Sequence, residues 1–520
     1  MPSGSADRSV SSHESGDQSL EPRPDALKRI DHVVVLMLEN RSFDNLLGWL
    51  YDDAPPPRGQ HFDGLRSDMW CGLSNVDADG IPFTEKVPVR KNGAPMKQGL
   101  RGKPQPTETD FRLPNPDPGE GFVDTNLQLF GHPQVAELYP PEPTCQGFVD
   151  NYAQAMLYGT YSFGDAPTDP RSIMTCYTPE QVPVLSTLAR EFAVCDAWHC
   201  SVPSQTLPNR DFIHAASSAG QVNNAPQALC GAETIFNRIQ DAAAGGEPVS
   251  WRVYGGTSKG AFFSLTRTIM TRLAGDEFTP GFVPFERFAG DAAKGDLASY
   301  TFLEPQLSGP GQNDQHPHAD VRPGDKLIAD VYEAISSSPA WEKTLLVITY
   351  DEHGGCFDHV PPPGGATAPD ATVSSEGRVP GAAGQFGFRF NRFGVRVPAV
   401  LVSPWIEAGT VARPAGWTPF DHTSVIATVT NRFGLANLTA RDTAAPDLSC
   451  VLTLDVARTD VPAVKPLDWE TPAHGGENDL HRVLEQVLTD LTGVERPTEQ
   501  QIDDYIHTAY EKQFGAPANT

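Results

Sequence analysis

The run Val33-Val34-Val35-Leu36-Met37-Leu38 leads without a break into Glu39-Asn40-Arg41-Ser42. Six consecutive apolar residues suit a strand covered on both faces, the usual condition in a parallel sheet. Ligands in such sheets bind beyond the carboxyl ends of the strands. A carboxylate and a carboxamide at that position burden the fold and serve chemistry. The design recurs downstream, where Thr344-Leu345-Leu346-Val347-Ile348-Thr349-Tyr350 runs into Asp351-Glu352-His353-Gly354-Gly355. Two strand ends therefore deliver three acidic groups and an amide.

Around these strands the pattern alternates. Apolar positions over residues 180–192 have helical spacing, with Pro183 tolerated in the first turn, and Ala193-Val194-Cys195 reads as a short strand. Further strands are expected at residues 300–303 and 395–402, and helices at residues 325–336 and 423–433. Strands alternating with helices predict an α/β fold, a mostly parallel central sheet with helices on both faces. Residues 52–120, crowded with Pro, Gly, Asp and Arg, read as a long loop insertion over the sheet edge. Residues 360–387, rich in Pro, Gly and Ala, read as an exposed loop near the Asp351 strand end, placed to serve as a rim or lid. Residues 1–29 are expected to be a disordered tail and 30–465 one domain. Residues 466–520 read as a helical segment packed on that domain, with amphipathic patterns over 478–491 and 498–513.

The 520-residue chain carries 39 Lys and Arg against 66 Asp and Glu, a formal charge of -27. Such a surface repels nucleic-acid backbones and has no electrostatic attraction to anionic membranes. A phosphate ester would then need a locally positive site, which a bound cation with Arg and His would supply. No run approaches the ~20 apolar residues of a membrane span, and the first 29 residues hold no apolar signal region. The eight cysteines form no C-x-x-C array and read as reduced thiols, so a cytoplasmic address is expected, with non-classical export as the alternative.

Five segments together carry a resemblance: His32 to Asp44; Ser201-Val202-Pro203-Ser204-Gln205-Thr206-Leu207-Pro208-Asn209-Arg210; Asn313-Asp314-Gln315-His316-Pro317; Tyr350 to Gly355 with Phe357-Asp358-His359-Val360-Pro361-Pro362; and Phe420-Asp421-His422-Thr423-Ser424. In this order the chain resembles the bacterial phosphoesterase family of phospholipases C and acid phosphatases, a branch of the alkaline-phosphatase-like superfamily. The resemblance implies that residues 30–465 are the catalytic domain and that Glu39, Asn40, Asp351 and Glu352 hold one divalent metal ion. Their side chains offer oxygen ligands, which suit a hard cation such as calcium, and zinc also accepts carboxylates. A hydroxyl of the Thr206 loop joins them by the same resemblance. Thr206, three residues before Asn209, fits the family pattern best, with Ser201 and Ser204 as alternatives.

A metal-bound threonine hydroxyl can attack phosphorus and form a phospho-threonine intermediate, the two-step route the superfamily implies. His316 matches the family histidine expected to bind phosphate or protonate the leaving oxygen, and His318 and His353 are weaker candidates for the same task. Arg210 either pairs with phosphate oxygens or holds its loop to a carboxylate. Glu120 stands where relatives tend to have His; facing the site, it would repel a phosphate dianion or donate a proton from a raised pKa. Asp421 and His422 are read as positioning the following helix, and His199 and Cys200 as packing. The expected activity is a metal-dependent, phospholipase C-like phosphoesterase acting on a phosphate ester such as a phospholipid. The alternatives are an acid phosphatase for monoesters and a binding protein that retains the fold.

Overall fold

The computed structural model describes residues 19–470 except 77–79, 95–108, 137–139, 159–168, 225–229, 259–260, 308–310, 371, 375–376 and 380–383. The expected helices over 478–491 and 498–513 lie outside the described residues. Eight strands make one sheet: β1 His32–Leu38, β2 Ala193–Val194, β3 Trp251–Gly255, β4 Phe282–Pro284, β5 Tyr300–Leu303, β6 Thr344–Tyr350, β7 Ala399–Val402 and β8 Thr410–Val411. Their spatial order is β4-β3-β5-β1-β6-β7-β2-β8. Only β7 opposes the common strand direction, pairing antiparallel with β6 and β2. The sheet is thus mostly parallel, as the alternating pattern predicts.

Register positions the chemistry. Every residue of β1 pairs with its counterpart in β6, from His32 with Thr344 to Leu38 with Tyr350. Glu39 and Asp351 consequently leave the sheet side by side. The apolar runs of both strands are fully buried, each Val or Leu side chain contributing roughly 1.5–3 kcal/mol of transfer free energy.

Seven helices bear on the site or the sheet: α1 Phe43–Leu47, α2 Phe122–Phe130, α3 Pro183–Glu191, α4 Thr206–Ala215, α5 Ile235–Ala244, α6 Val321–Ser336 and α7 Thr423–Phe433. Trp251 and Tyr254 show that both faces are covered. Three positions apart in one strand, they point to opposite sides. Trp251 packs on Phe236 of α5, and Tyr254 on Phe288 of the short helix Phe288–Ala293. Two smaller apolar clusters flank the main core, one of them under α2 and α4.

Several expected boundaries shift for identifiable reasons. The run at 395–402 yields a strand only over Ala399–Val402, because Pro398 offers no ladder N–H and Arg396 is drawn aside into a buried ion network. Its Nη2 donates to Asp44 Oδ1 and its Nε to Asp358 Oδ1, both at 2.9 Å. His359 Nδ1 lies 2.6 Å from Asp44 Oδ2, so Asp44, Asp358 and His359 serve structure around Arg396. Within the 52–120 insertion, Trp70–Val76 pairs antiparallel with Pro82–Pro88. Residues 19–29, expected in the tail, instead include a short helix, Pro24–Leu27, whose Ala26 and Leu27 enter the main core. Apolar side chains there repay the ordering of the segment.

Candidate active site

Asn40 is the pivot of the site. Its φ of 55° lies in the left-handed region that Asn tolerates better than most residues, and this turn aims both its backbone and its amide at the β6 strand end. Its N–H donates to Asp351 Oδ1 at 2.9 Å. Its Nδ2 donates to Glu120 Oε2 at 2.7 Å and to Glu352 Oε1 at 2.5 Å. With both amide hydrogens committed to carboxylates, Asn40 Oδ1 is turned toward Thr206. The close approach explains Gly354, whose φ is +61° and where a Cβ would stand 2.1 Å from the Asn40 carbonyl oxygen.

Thr206 opens α4, where the helix N-terminus carries partial positive charge. Its hydroxyl donates to Glu39 Oε2 at 3.2 Å and lies 3.4 Å from Asn40 Oδ1. The other two hydroxyls of the loop are committed elsewhere: Ser201 Oγ donates to Asp421 Oδ2 and Ser204 Oγ to Asn223 Oδ1, both at 2.9 Å. Thr206 is therefore the loop hydroxyl that meets the acidic strand ends. One turn along α4, Arg210 donates Nε to Glu39 Oε1 at 2.9 Å and Nη2 to the same oxygen. This matches the loop-holding alternative. Arg210 Nη1 is buried without a hydrogen-bond partner among the described residues.

The expected ligands meet, with one division. Glu39 Oε2, Asn40 Oδ1 and Thr206 Oγ1 gather on one side of the Asn40 amide, whereas Glu352 lies on the other with Glu120. Ligand atoms of Asp117, Glu120 and His316 are all within 4.8 Å of one another, extending that second group. His316 Nδ1 lies 3.7 Å from Asp117 Oδ1 and 2.5 Å from the Pro317 carbonyl oxygen. Asp117 has no part in the sequence reading although it shares the segment that holds Glu120; a carboxylate three residues before another was the available signal.

Six buried carboxylates, Glu39, Asp117, Glu120, Asp314, Asp351 and Glu352, surround the site. Burial pushes Glu39 well above the usual carboxylate range; Arg210 opposes the shift, and Asp351 and Asp314 add to it. Burial and the Asp351 charge do the same to Glu352. Asp314, which accepts the Glu39 N–H through its backbone oxygen at 2.9 Å, is pushed up to about 7 by burial. Asp351 Oδ2 is buried and receives no hydrogen bond among the described residues. Crowded, desolvated oxygens with a bare carboxylate oxygen among them are the donor set a hard divalent cation satisfies, so the residues present fit such an ion.

The remaining histidines divide. His353 is fully buried, its Nε2 2.7 Å from Gln128 Oε1 and its Nδ1 3.2 Å from Glu352 Oε2. Burial pulls it down to about 3, so the ring stays neutral and donates Nε2–H to Gln128. His318 is half-buried, and the charges that weigh on it after burial are Arg112 and Arg41. His422 Nε2 lies 2.5 Å from the Asp351 carbonyl oxygen, and Asp421 Oδ1 accepts the Thr423 N–H at 3.1 Å. Both hold α7 against the strand end, the positioning role expected of them.

Buried carboxylates and the Asn40 amide thus stand beside a helix-start threonine at the carboxyl ends of parallel strands. The model of the phosphoesterase family matches residues 30–436, and the chain belongs to that family and with it to the hydrolases of phosphoric ester bonds. It is 34% identical over 452 residues to non-specific phospholipase C3 of Arabidopsis thaliana, covering 84% of this chain and 76% of the relative. It is 28% identical over 483 residues to phospholipase C B of Mycobacterium tuberculosis, covering 86% of this chain and 82% of that protein. Among solved structures, a sulfatase from Bacteroides thetaiotaomicron aligns with a TM-score of 0.31 at 12% identity, over 54% of this chain and 72% of that one.

Proposed function

We propose that the protein is a metal-dependent phosphodiesterase of the phospholipase C type, working through a phospho-threonine intermediate at Thr206. The hydrogen bond from Thr206 Oγ1 to Glu39 Oε2, beside the Asn40 oxygen, carries this reading. Glu39, Asn40, Thr206 and Asp351 would hold the ion, with Glu352 behind the Asn40 amide. When bound, the ion supplies Lewis acidity and draws charge from the phosphoryl oxygens.

The chain's own residues do the rest. Glu39 takes the proton as Thr206 Oγ1 bonds to phosphorus and the ester P–O bond breaks. The leaving oxygen takes its proton from His316. Water then attacks the adduct and gives its proton to His316, while Glu39 returns its proton to Thr206 Oγ1 as the Thr206–phosphorus bond breaks and the phosphate product leaves. Arg210 Nη1 is available to a phosphoryl oxygen.

Diester cleavage is favoured over monoester cleavage by Glu120. Its carboxylate, bonded to Asn40, adds negative charge where a monoester would bring two charges and a diester one. The names of the relatives in plants and mycobacteria agree with a phospholipid substrate. Turnover of 4-nitrophenyl phosphorylcholine, a soluble phosphodiester, tests the proposal. Thr206→Ala is expected to lower kcat by about 1,000-fold or more, and a chelator to abolish wild-type activity reversibly. Unchanged turnover by Thr206→Ala would reject the assignment.

A further inference from the structure

Phe386 is 61% exposed, yet it is no stray surface residue. Its φ of 55° is a conformation that a bulky side chain adopts only under constraint. The constraint is supplied by Gln385. The Gln385 N–H donates to the Gly220 carbonyl at 2.9 Å, its Oε1 accepts the Val222 N–H at 3.0 Å, and its Nε2 donates to Gln221 Oε1 at 2.5 Å. So held, the Phe386 ring stacks on Phe122 with centroids 5.7 Å apart and planes 17° from parallel.

Phe122 ties this ring to the catalytic groups. It stands two residues after Glu120, and its N–H donates to Asn223 Oδ1 at 2.9 Å, the same oxygen that receives Ser204 Oγ from the nucleophile loop. Beneath lies a separate apolar cluster of Phe122, Val202, Phe212, Val222, Phe388 and Phe390, drawn from α2, the Thr206 loop, α4 with the residues that follow it, and the segment just after the 360–387 loop. Val123, next along α2, is 37% exposed beside Phe122. An apolar lip is therefore tied through Phe122 to the segments that hold Glu120 and Thr206, on a chain whose net charge of -27 is opposite to what an anionic surface would attract.

We propose that Phe386 and Val123 form the subsite for the apolar leaving group of the substrate, the acyl-glycerol portion of a zwitterionic phospholipid. This rests on the phosphodiesterase reading and deepens it. An apolar leaving group in contact with the lip loses water as the phosphoryl group reaches Thr206, so the lip favours lipid esters over small soluble ones.

The experiment measures kcat/KM for dispersed phosphatidylcholine and for 4-nitrophenyl phosphorylcholine, and takes their ratio. Phe386→Asn, which suits the left-handed conformation, and Val123→Ser, at an exposed helix position, are the variants. Each is expected to lower the lipid-to-soluble ratio, Phe386→Asn by about tenfold, the loss expected for withdrawing much of one large apolar contact. A ratio unchanged in both variants would overturn the proposal while leaving the phosphodiesterase reading intact. A wild-type dimer that Phe386→Asn splits with the ratio unmoved would overturn it too, and assign the lip to a second copy of the chain. Failure of the wild type to turn over either ester would overturn the phosphodiesterase reading and this subsite with it.

Discussion

Arg210 is held against Glu39 at the centre of the site. Its guanidinium is fully buried and its Nε and Nη2 both engage Glu39 Oε1, so it neutralises a carboxylate that burial otherwise disfavours. Removing one member of a buried pair strands the other, at a cost of about 3–5 kcal/mol. Arg210→Met is expected to lower unfolding stability by that amount in urea titration, and to lose activity; a variant as stable as the wild type would mean that Glu39 is held by other groups. At this scale the sequence was informative wherever a residue type is required. Glu39, Asn40 and Asp351 stand out as polar groups after apolar strands, whereas Thr206 stands out only by its place in the pattern that the resemblance supplies; the structure sets Thr206 beside Glu39 and Asn40. Asp117 was not legible, since a carboxylate in a Pro- and Gly-rich loop is ordinary until the fold sets it beside His316. The division of ligands by the Asn40 amide depends on one left-handed φ, which no local pattern announces.

Among elements, α3 and α6 are joined by a carboxylate. Asp325 of α6 accepts the Val184 N–H at 3.0 Å and the Leu185 N–H at 2.9 Å, satisfying donors at the start of α3. Burial nevertheless pushes Asp325 up to about 7, the two N–H donors opposing the shift. The folded state therefore binds a proton that the unfolded chain, with a carboxyl near 3.9, releases earlier. Between about pH 4 and 7 this group makes stability fall as pH rises, by on the order of a few kcal/mol. Asp325→Asn is expected to be less stable at pH 4 and to show a flatter profile up to pH 7 by chemical denaturation. An unaltered slope would contradict the assignment. The helices α3, α6 and α7 follow from periodicity and the two long strands from their apolar runs, α7 with the bounds its pattern suggests, whereas α1, α2, α4 and α5 are not anticipated by the sequence reading. The strand at 395–402 was overextended because Pro398 and the buried Arg396 interrupt an otherwise apolar run. The hairpin at Trp70–Val76 and Pro82–Pro88 was hidden by composition, its strands being short of apolar residues and half-exposed.

For the whole molecule, the decisive relation is register, which is a property of pairing and not of either strand alone. Pairing Leu38 with Tyr350 sets Glu39 beside Asp351, and α4 then brings Thr206 from a segment 167 residues away in the chain to the same point. The eight cysteines are all buried and free, so the sheet is held by packing and hydrogen bonds and not by cross-links. Among the described residues no helix is long and apolar enough to cross a membrane. An acidic chain with crowded carboxylates at its centre makes sense if a cation occupies that centre and a threonine takes the phosphoryl group there. The most direct measurement is acid quenching during turnover of 4-nitrophenyl phosphorylcholine, followed by peptide mapping by mass spectrometry. The account predicts a phosphorylcholine adduct on Thr206, absent from Thr206→Ala. An adduct on any other residue, or a nitrophenol burst of wild-type size from Thr206→Ala, would contradict it.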